Sequence, residues 1–438
     1  MTPRPSPISS PPWPQATRLG PRPLPLHLAR AMTVWTSSLA ALPTAKNGSL
    51  PWSPALASRA ASLAADLASA PTDSLADCLA GEGRRRLDAM LAGIEIYRHH
   101  PYRRALRDPK IIWRVGASRL LDYGPDFLDK STRRRGREDA VPVLFVPSLV
   151  NRYYILDLSP RRSLMRDLAD HGIRPLLMDW GHPGAAEREF DLTDYTAGRL
   201  EAALDAAVER CGGPVIVAGY CMGGLLALAL AQRRPSQVRA LVLLATPWDF
   251  HAPSDDPGDA PSDAHGDAHG RLLDALAAPL EGLLTALGEL PIDALQALFT
   301  WSDPTMVATK FRALAARDPQ GDEAADFVAL EDWLNDGVAL TAAVARDCLV
   351  GWYAENQPGR GEWRIAGEVV RPERLDLPCL IALPARDRIV PPASAQALAD
   401  AMPKADRLTP PAGHIGMVIG RRAREALGKP LTAWLKSV

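Results

Sequence analysis

The chain has 438 residues, 47% of them hydrophobic, which is ordinary for a globular enzyme and long enough for a large core with two or three structural units. A formal net charge of −1 argues against nucleic acid or an acidic membrane as the main partner. Five cysteines (Cys78, Cys211, Cys221, Cys348, Cys379) are odd in number and scattered, which excludes a C-x-x-C metal spacing or a disulfide framework and points to a reducing cytoplasm.

Residues 1–25 are rich in Pro, with Ser and Arg, and are expected to form a disordered arm. They lack the charged and apolar regions of a secretory signal, and no apolar run in the chain reaches the ~18 residues of a membrane span. Residues 26–42 predict a first helix, and residues 51–80 are Ala-rich with two or three helical turns. A helix from residue 87 is expected to stop at Pro101. At that stop lies the basic-aromatic cluster Tyr97-Arg98-His99-His100-Pro101-Tyr102-Arg103-Arg104, read as a solvated helix end with aromatic packing in preference to a phosphate contact. A basic linker at 130–137 closes a helical N-terminal region over 26–137.

Short apolar runs then alternate with helical patterns. Strands are predicted at 141–146, 173–178, 215–218 and 238–245, with helices at 161–171 and 192–211. Strands separated by helices imply βαβ crossovers and a mostly parallel sheet. The alternation breaks at 251. Residues 253–270 are rich in Asp, Pro, Gly, Ala and Ser and read as a flexible surface insert, with His265 and His269 in solvated loop and not in a metal site. Residues 251–374 read as a helical cap inserted between sheet strands, of the kind that excludes water from a site. The sheet resumes at 380–383, and a short strand at 407–408 and a helix at 422–435 close the core. The expected fold is thus α/β: a core of residues 138–250 and 375–438, an inserted helical cap and a helical N-terminal region.

The chemistry centres on Gly219-Tyr220-Cys221-Met222-Gly223. A G-x-C-x-G turn between an apolar strand and an apolar helix has the form of an α/β-hydrolase nucleophile elbow, with Cys in place of Ser. The helix N-terminus directs N–H groups at the thiol and favours the thiolate. Asp387 follows the strand ending at Leu383, at the carboxyl edge of a parallel sheet where ligands bind. His414 follows the last strand between glycines, and the order nucleophile, acid, His matches the hydrolase arrangement. His414 then takes the thiol proton of Cys221, and Asp387 fixes the imidazole. The Met222 N–H is one expected oxyanion donor, and the second is expected at Val150 in the loop after the first core strand. A Cys nucleophile attacking a thioester keeps the acyl group as a thioester, which suits transfer from a CoA-type donor to an alcohol.

Several stretches, in order, resemble the poly(3-hydroxyalkanoate) synthase family. They are Pro147-Ser148-Leu149-Val150-Asn151-Arg152-Tyr153-Tyr154, Asp179-Trp180-Gly181, Gly219-Tyr220-Cys221-Met222-Gly223-Gly224, Ala245-Thr246-Pro247-Trp248-Asp249-Phe250, Ala329-Leu330-Glu331-Asp332-Trp333-Leu334, Asp387-Arg388-Ile389-Val390-Pro391-Pro392 and Gly413-His414-Ile415-Gly416. The resemblance runs from about residue 95 to the end of the chain. It implies a Cys221-His414-Asp387 acyltransferase that polymerises (R)-3-hydroxyacyl-CoA, releases CoA and needs no cofactor. It also implies a growing polyester chain as partner, a granule surface in the cytoplasm, and a second copy or second synthase subunit. A hydrolase on the same fold (thioesterase, esterase or polyester depolymerase) is the alternative, and a non-catalytic granule protein a third. Acyl-length preference is expected to depend on cap residues such as Leu272, Phe299 and Phe311.

Overall fold

The computed structural model describes residues 18–53, 56–124, 140–253, 278–299 and 303–438. The expected linker at 130–137, nearly all of the insert at 253–270, both its histidines and Leu272 lie outside the described residues, as does the side chain of Phe299. An eight-stranded sheet organises the rest. Its strands are β1 (Lys110–Val115), β2 (Ser118–Asp122), β3 (Val141–Val146), β4 (Ile173–Asp179), β5 (Val215–Tyr220), β6 (Val238–Leu244), β7 (Cys379–Ala382) and β8 (Asp406–Leu408). Their spatial order is β1-β2-β4-β3-β5-β6-β7-β8. From β4 through β8 every pair is parallel. The edge strand β1 pairs antiparallel with β2, and β2 in turn pairs antiparallel with β4.

These two antiparallel strands correct the expectation of a helical region over 26–137. Ile111-Ile112-Trp113 is β-branched and aromatic, Gly116 takes a positive φ of 57° in the turn, and Leu120 and Leu121 are buried on opposite faces of the sheet. The central strands are apolar throughout because both faces are covered. Leu144, Val146, Val217, Leu241 and Leu243 point to one face, with α5 (Glu201–Cys211), α6 (Met222–Arg233) and cap residues such as Trp352. Val143, Phe145, Ile216, Ala218, Val242 and Leu244 point to the other, with α4 (Leu164–Asp170) and the C-terminal residues Met417, Leu427 and Leu431. Helix α4 starts later than the predicted 161 because Ser163 caps it, its side chain accepting from the Arg166 N–H at 3.0 Å.

Three helices precede the sheet: α1 (Leu24–Lys46), α2 (Ala57–Ala68) and α3 (Thr72–His99). The arm expected to be disordered over 1–25 is corrected in its last part. Residues 18–23 run along the protein, and α1 begins at Leu24. The segment between β6 and β7 carries α7 (Ile292–Phe299), α8 (Met306–Ala315) and α9 (Asp322–Asn335), then a π-helical turn over Asp347–Ala354. Helix α3 lies so close to α8 that a Cβ on Gly93 would stand 1.9 Å from the Phe311 carbonyl oxygen. Met90, Ile94, Tyr97, Phe311 and Val328 form a separate core there. Phe311 therefore packs edge-on against Tyr97, with centroids 5.9 Å apart, and is a structural residue rather than one selecting the acyl chain. The basic-aromatic cluster is solvated only in part: Arg98, His99 and Arg103 are exposed and Tyr97 packs on Phe311 as expected, but Tyr97 and His100 are buried, and Arg104 pairs with the buried Asp157 at 3.2 Å.

Candidate active site

Cys221 sits where β5 meets α6, at φ 56° and ψ −128°. A non-glycine residue in this region is strained, so the surroundings must hold it. Its N–H donates to the Leu244 carbonyl at 2.8 Å, and its carbonyl accepts from Gly224 at 2.9 Å. The neighbouring glycines are there for space. A Cβ on Gly219 would meet Gly224 Cα at 2.4 Å, one on Gly223 the Val146 carbonyl oxygen at 2.1 Å, and one on Gly224 the Thr246 hydroxyl at 1.8 Å. The turn folds only if strand, helix and the loop after β3 approach this closely.

The loops after β7 and β8 bring Asp387 and His414 together. Asp387 Oδ2 accepts from His414 Nδ1 at 2.7 Å, with both residues buried. Asp387 Oδ1 accepts the N–H groups of Ile389 and Val390, each at 2.9 Å, which orients the carboxylate. With Nδ1 committed to Asp387, Nε2 is the nitrogen left for the Cys221 side chain, which is near enough to act on the imidazole's proton affinity. Burial opposes the charged imidazole, but the charge of Cys221 and the bonds to Asp387 and Cys221 prevail and raise His414 to about 10. The three residues expected from the sequence are thus brought into one site.

The oxyanion positions differ from each other. The Met222 N–H opens α6 and has no acceptor within its own helix. The Val150 N–H is engaged by Ser148 Oγ at 3.2 Å, so it is available to a substrate oxygen only once that bond opens. The Val150 carbonyl accepts from Val338 N at 3.1 Å, tying this loop to the segment after α9. Trp180 Nε1 donates to the Pro147 carbonyl at 3.0 Å and fixes the loop from below. Beside it a small pocket is lined by Leu149, Trp180, Tyr195, Val338 and Leu340 among others, and no triad residue lines it.

Sequence reasoning missed several neighbours. Tyr220 donates its hydroxyl to the His414 carbonyl at 3.2 Å, and its ring lies 5.1 Å from the imidazole. Its place beside Cys221 in the G-x-C-x-G turn was a usable signal. Tyr353, on the π-helical turn, has its phenol raised by desolvation and then by the charges of Cys221 and Cys348, which puts it within electrostatic reach of the nucleophile. It is 41% exposed and packs edge-on against Phe250 at 4.9 Å. Nothing in the local sequence marks a π-turn. No group of His, Cys, Asp and Glu suited to a metal ion occurs among the described residues.

Residues 141–420 match the family model described as alpha/beta hydrolase fold. Residues 105–168 match the model described as Poly-beta-hydroxybutyrate polymerase (PhaC) N-terminus. A poly(3-hydroxyalkanoate) polymerase subunit PhaC from Synechocystis sp. is 32% identical over 301 residues, 67% of this chain and 77% of that protein. The chain belongs to the poly(3-hydroxyalkanoate) polymerase family. It is therefore an acyltransferase-type enzyme on an α/β-hydrolase fold. The polymerase subunit from Haloferax mediterranei is 30% identical over 329 residues, covering 74% of this chain and 63% of that protein. Among solved structures, the thioesterase domain from the curacin biosynthetic pathway aligns with a TM-score of 0.40 and 15% identity, over 76% of this chain and 100% of that one. Helices α1, α2 and α3 and the segment before them precede the span matched by the polymerase model.

Proposed function

We propose that the chain polymerises (R)-3-hydroxyacyl-CoA into poly(3-hydroxyalkanoate) through an S-acyl intermediate on Cys221. The observation that carries this reading is a cysteine, not a serine, at the elbow of a hydrogen-bonded His–Asp pair in a chain of this family. The Cys221 thiolate attacks the thioester carbonyl, and the negative oxygen is received by the N–H groups of Met222 and Val150. The carbon–sulfur bond to CoA breaks, and the His414 imidazolium protonates the departing CoA thiolate. His414, now neutral, removes the proton from a 3-hydroxyl group, whose oxygen attacks the acyl-enzyme. The acyl carbon–sulfur bond to Cys221 breaks and returns its thiolate beside the recharged imidazolium, the new oxyester lengthens the chain by one unit, and Asp387 holds the imidazole throughout.

This reading divides the chain into a catalytic core of residues 138–250 and 375–438 and a cap of residues 251–374. It puts the enzyme in the cytoplasm at the surface of its own insoluble product, with a second copy or a second synthase subunit as protein partner. No helix among the described residues is long and apolar enough to cross a membrane. The test is incubation with (R)-3-hydroxybutyryl-CoA, following CoA release and analysing the product. CoA release with insoluble polyester is expected. CoA release with free hydroxy acid alone would instead assign the chain to the hydrolases.

A further inference from the structure

Residues 18–22 grip the far end of the cap helix that reaches the oxyanion loop. The Arg18 guanidinium, with its side chain 8% exposed, meets Asp332 in two parallel bonds, Nε to Oδ1 at 2.6 Å and Nη2 to Oδ2 at 2.8 Å. Its remaining donors reach the carbonyls of His100 at 2.7 Å and Tyr102 at 2.6 Å, and its plane lies over the Tyr97 ring. Tyr97 also donates to Asp332 Oδ1 at 3.0 Å. Four residues further along, the Arg22 N–H donates to Asn335 Oδ1 at 3.0 Å. A planar, bidentate, largely buried arginine is a rigid clamp, unlike a mobile surface pair.

The residues next to those clamped hold the loop that carries Val150. Trp333 Nε1 donates to the Arg152 carbonyl at 2.8 Å. Tyr154 donates its hydroxyl to Asp336 Oδ2 at 2.9 Å. Val338 N donates to the Val150 carbonyl at 3.1 Å. The end of α9 is thus bonded on one side to the N-terminal segment and on the other to the loop at three points.

We infer that Arg18 is a positioning residue for the reaction: by clamping Asp332 it sets the end of α9, and through Trp333 and Val338 it sets where the Val150 amide stands over Cys221. The inference rests on Val150 as an oxyanion donor in the proposed mechanism. Losing one oxyanion donor costs about 10²–10³ in rate, and a loosened donor costs a part of that.

The test compares two reactions of Cys221 in the full-length protein. Acylation by a 4-nitrophenyl ester forms an oxyanion, whereas alkylation by iodoacetamide, read on the Cys221 peptide by mass spectrometry, forms none. Arg18→Ala is expected to slow acylation about tenfold or more and to leave alkylation unchanged. Ethylguanidinium in solution is expected to restore part of the acylation rate, which a general loss of packing would not allow. Trp333→Phe keeps an aromatic ring in the core but removes the Nε1 donor to Arg152 together with the pyrrole part of the indole, and is expected to give the same selective loss should Arg18→Ala fold poorly. Acylation unchanged in both variants, or acylation and alkylation falling together in both, would overturn the inference. Neither readout needs polymer to form, so a failure of the polymerase reading would show separately, in the wild-type reaction with hydroxyacyl-CoA.

Discussion

Two regions of the molecule hold a cysteine close to the proposed reaction centre, and they treat it in opposite ways. At the strand-to-helix turn Cys221 is only partly buried, strained at φ 56°, set at the start of α6 and joined to His414. In the π-helical turn of the cap Cys348 is buried, and desolvation first, then the charge of Asp347, pushes its thiol well above the usual range. Cys379 on β7 is pushed to about 12 by burial alone. Reactivity here is a property of the turn and its imidazole, and the same side chain elsewhere is a small apolar filler.

The sharpest way to break this comparison is to remove each thiol in turn. Cys221→Ala is expected to abolish CoA release and acylation by activated esters. Cys348→Ala is expected to leave turnover within about threefold and to cost roughly 1–2 kcal/mol in unfolding free energy, as a small core truncation does. Steady-state kinetics and denaturant unfolding on both variants check this, and equal loss of turnover in the two would undo the assignment of the nucleophile.

The next largest effect is expected from the imidazole's partner. Asp387→Asn keeps the shape of the 2.7 Å contact but offers Nδ1 a neutral partner and allows the wrong tautomer. Turnover should fall about 10³–10⁴-fold, by analogy with the same change in serine proteases. The fall should appear in kcat far more than in KM, because Asp387 acts on His414 and not on the substrate.

A smaller effect separates the two kinds of glycine in the core. Gly223→Ala directs a methyl at the Val146 carbonyl oxygen, 2.1 Å from the ideal Cβ position, and at that of Pro147 at 2.6 Å. Both are backbone atoms of the strand and loop under the site, so neither can swing away. The expected cost is roughly 2–3 kcal/mol of stability, with a loss of acylation as the oxyanion loop is displaced. Gly213→Ala, where an added Cβ meets nothing within 4 Å, should stay within about 0.5 kcal/mol of wild type. Thermal unfolding of both variants, with the Cys221 acylation rate, tests the contrast.

The same two regions explain what could be read from the chain in advance. The elbow was legible because its requirements are local: four residues without room for a side chain or with an exposed thiol, between a strand and a helix. Asp387 and His414 were legible because a parallel sheet delivers the ends of its strands to one edge. The strands at 110–122 were not, because β1 is an edge strand whose exposed Lys110 and Arg114 dilute the apolar alternation. The grip of Arg18 on Asp332 was hidden for another reason: its partners are 314 residues apart, and a Pro-rich stretch reads as disordered until something distant binds it. The cap's helices were recognisable by composition, but Phe311 shows that an apolar cap residue can face the N-terminal helices as readily as the site.

The finest distinction between the two regions is one of pH. Burial alone would keep His414 neutral, yet the site raises it from an ordinary 6.5 to about 10. A raised folded-state value means the folded chain holds its proton more tightly than the unfolded chain does. The stabilisation is therefore complete below about pH 6.5 and fades as pH climbs through about 10. Unfolding free energies of wild type and His414→Gln, measured from mildly acidic to strongly alkaline pH, should differ most at the acidic end and converge at the alkaline end. A difference that grew with pH would mean that His414 is held neutral in the folded chain. Cys348→Ala should show a gap from wild type that is flat from mildly acidic pH to about 9 and narrows only above it, because the buried thiol holds its proton more tightly in the folded chain than in the unfolded one.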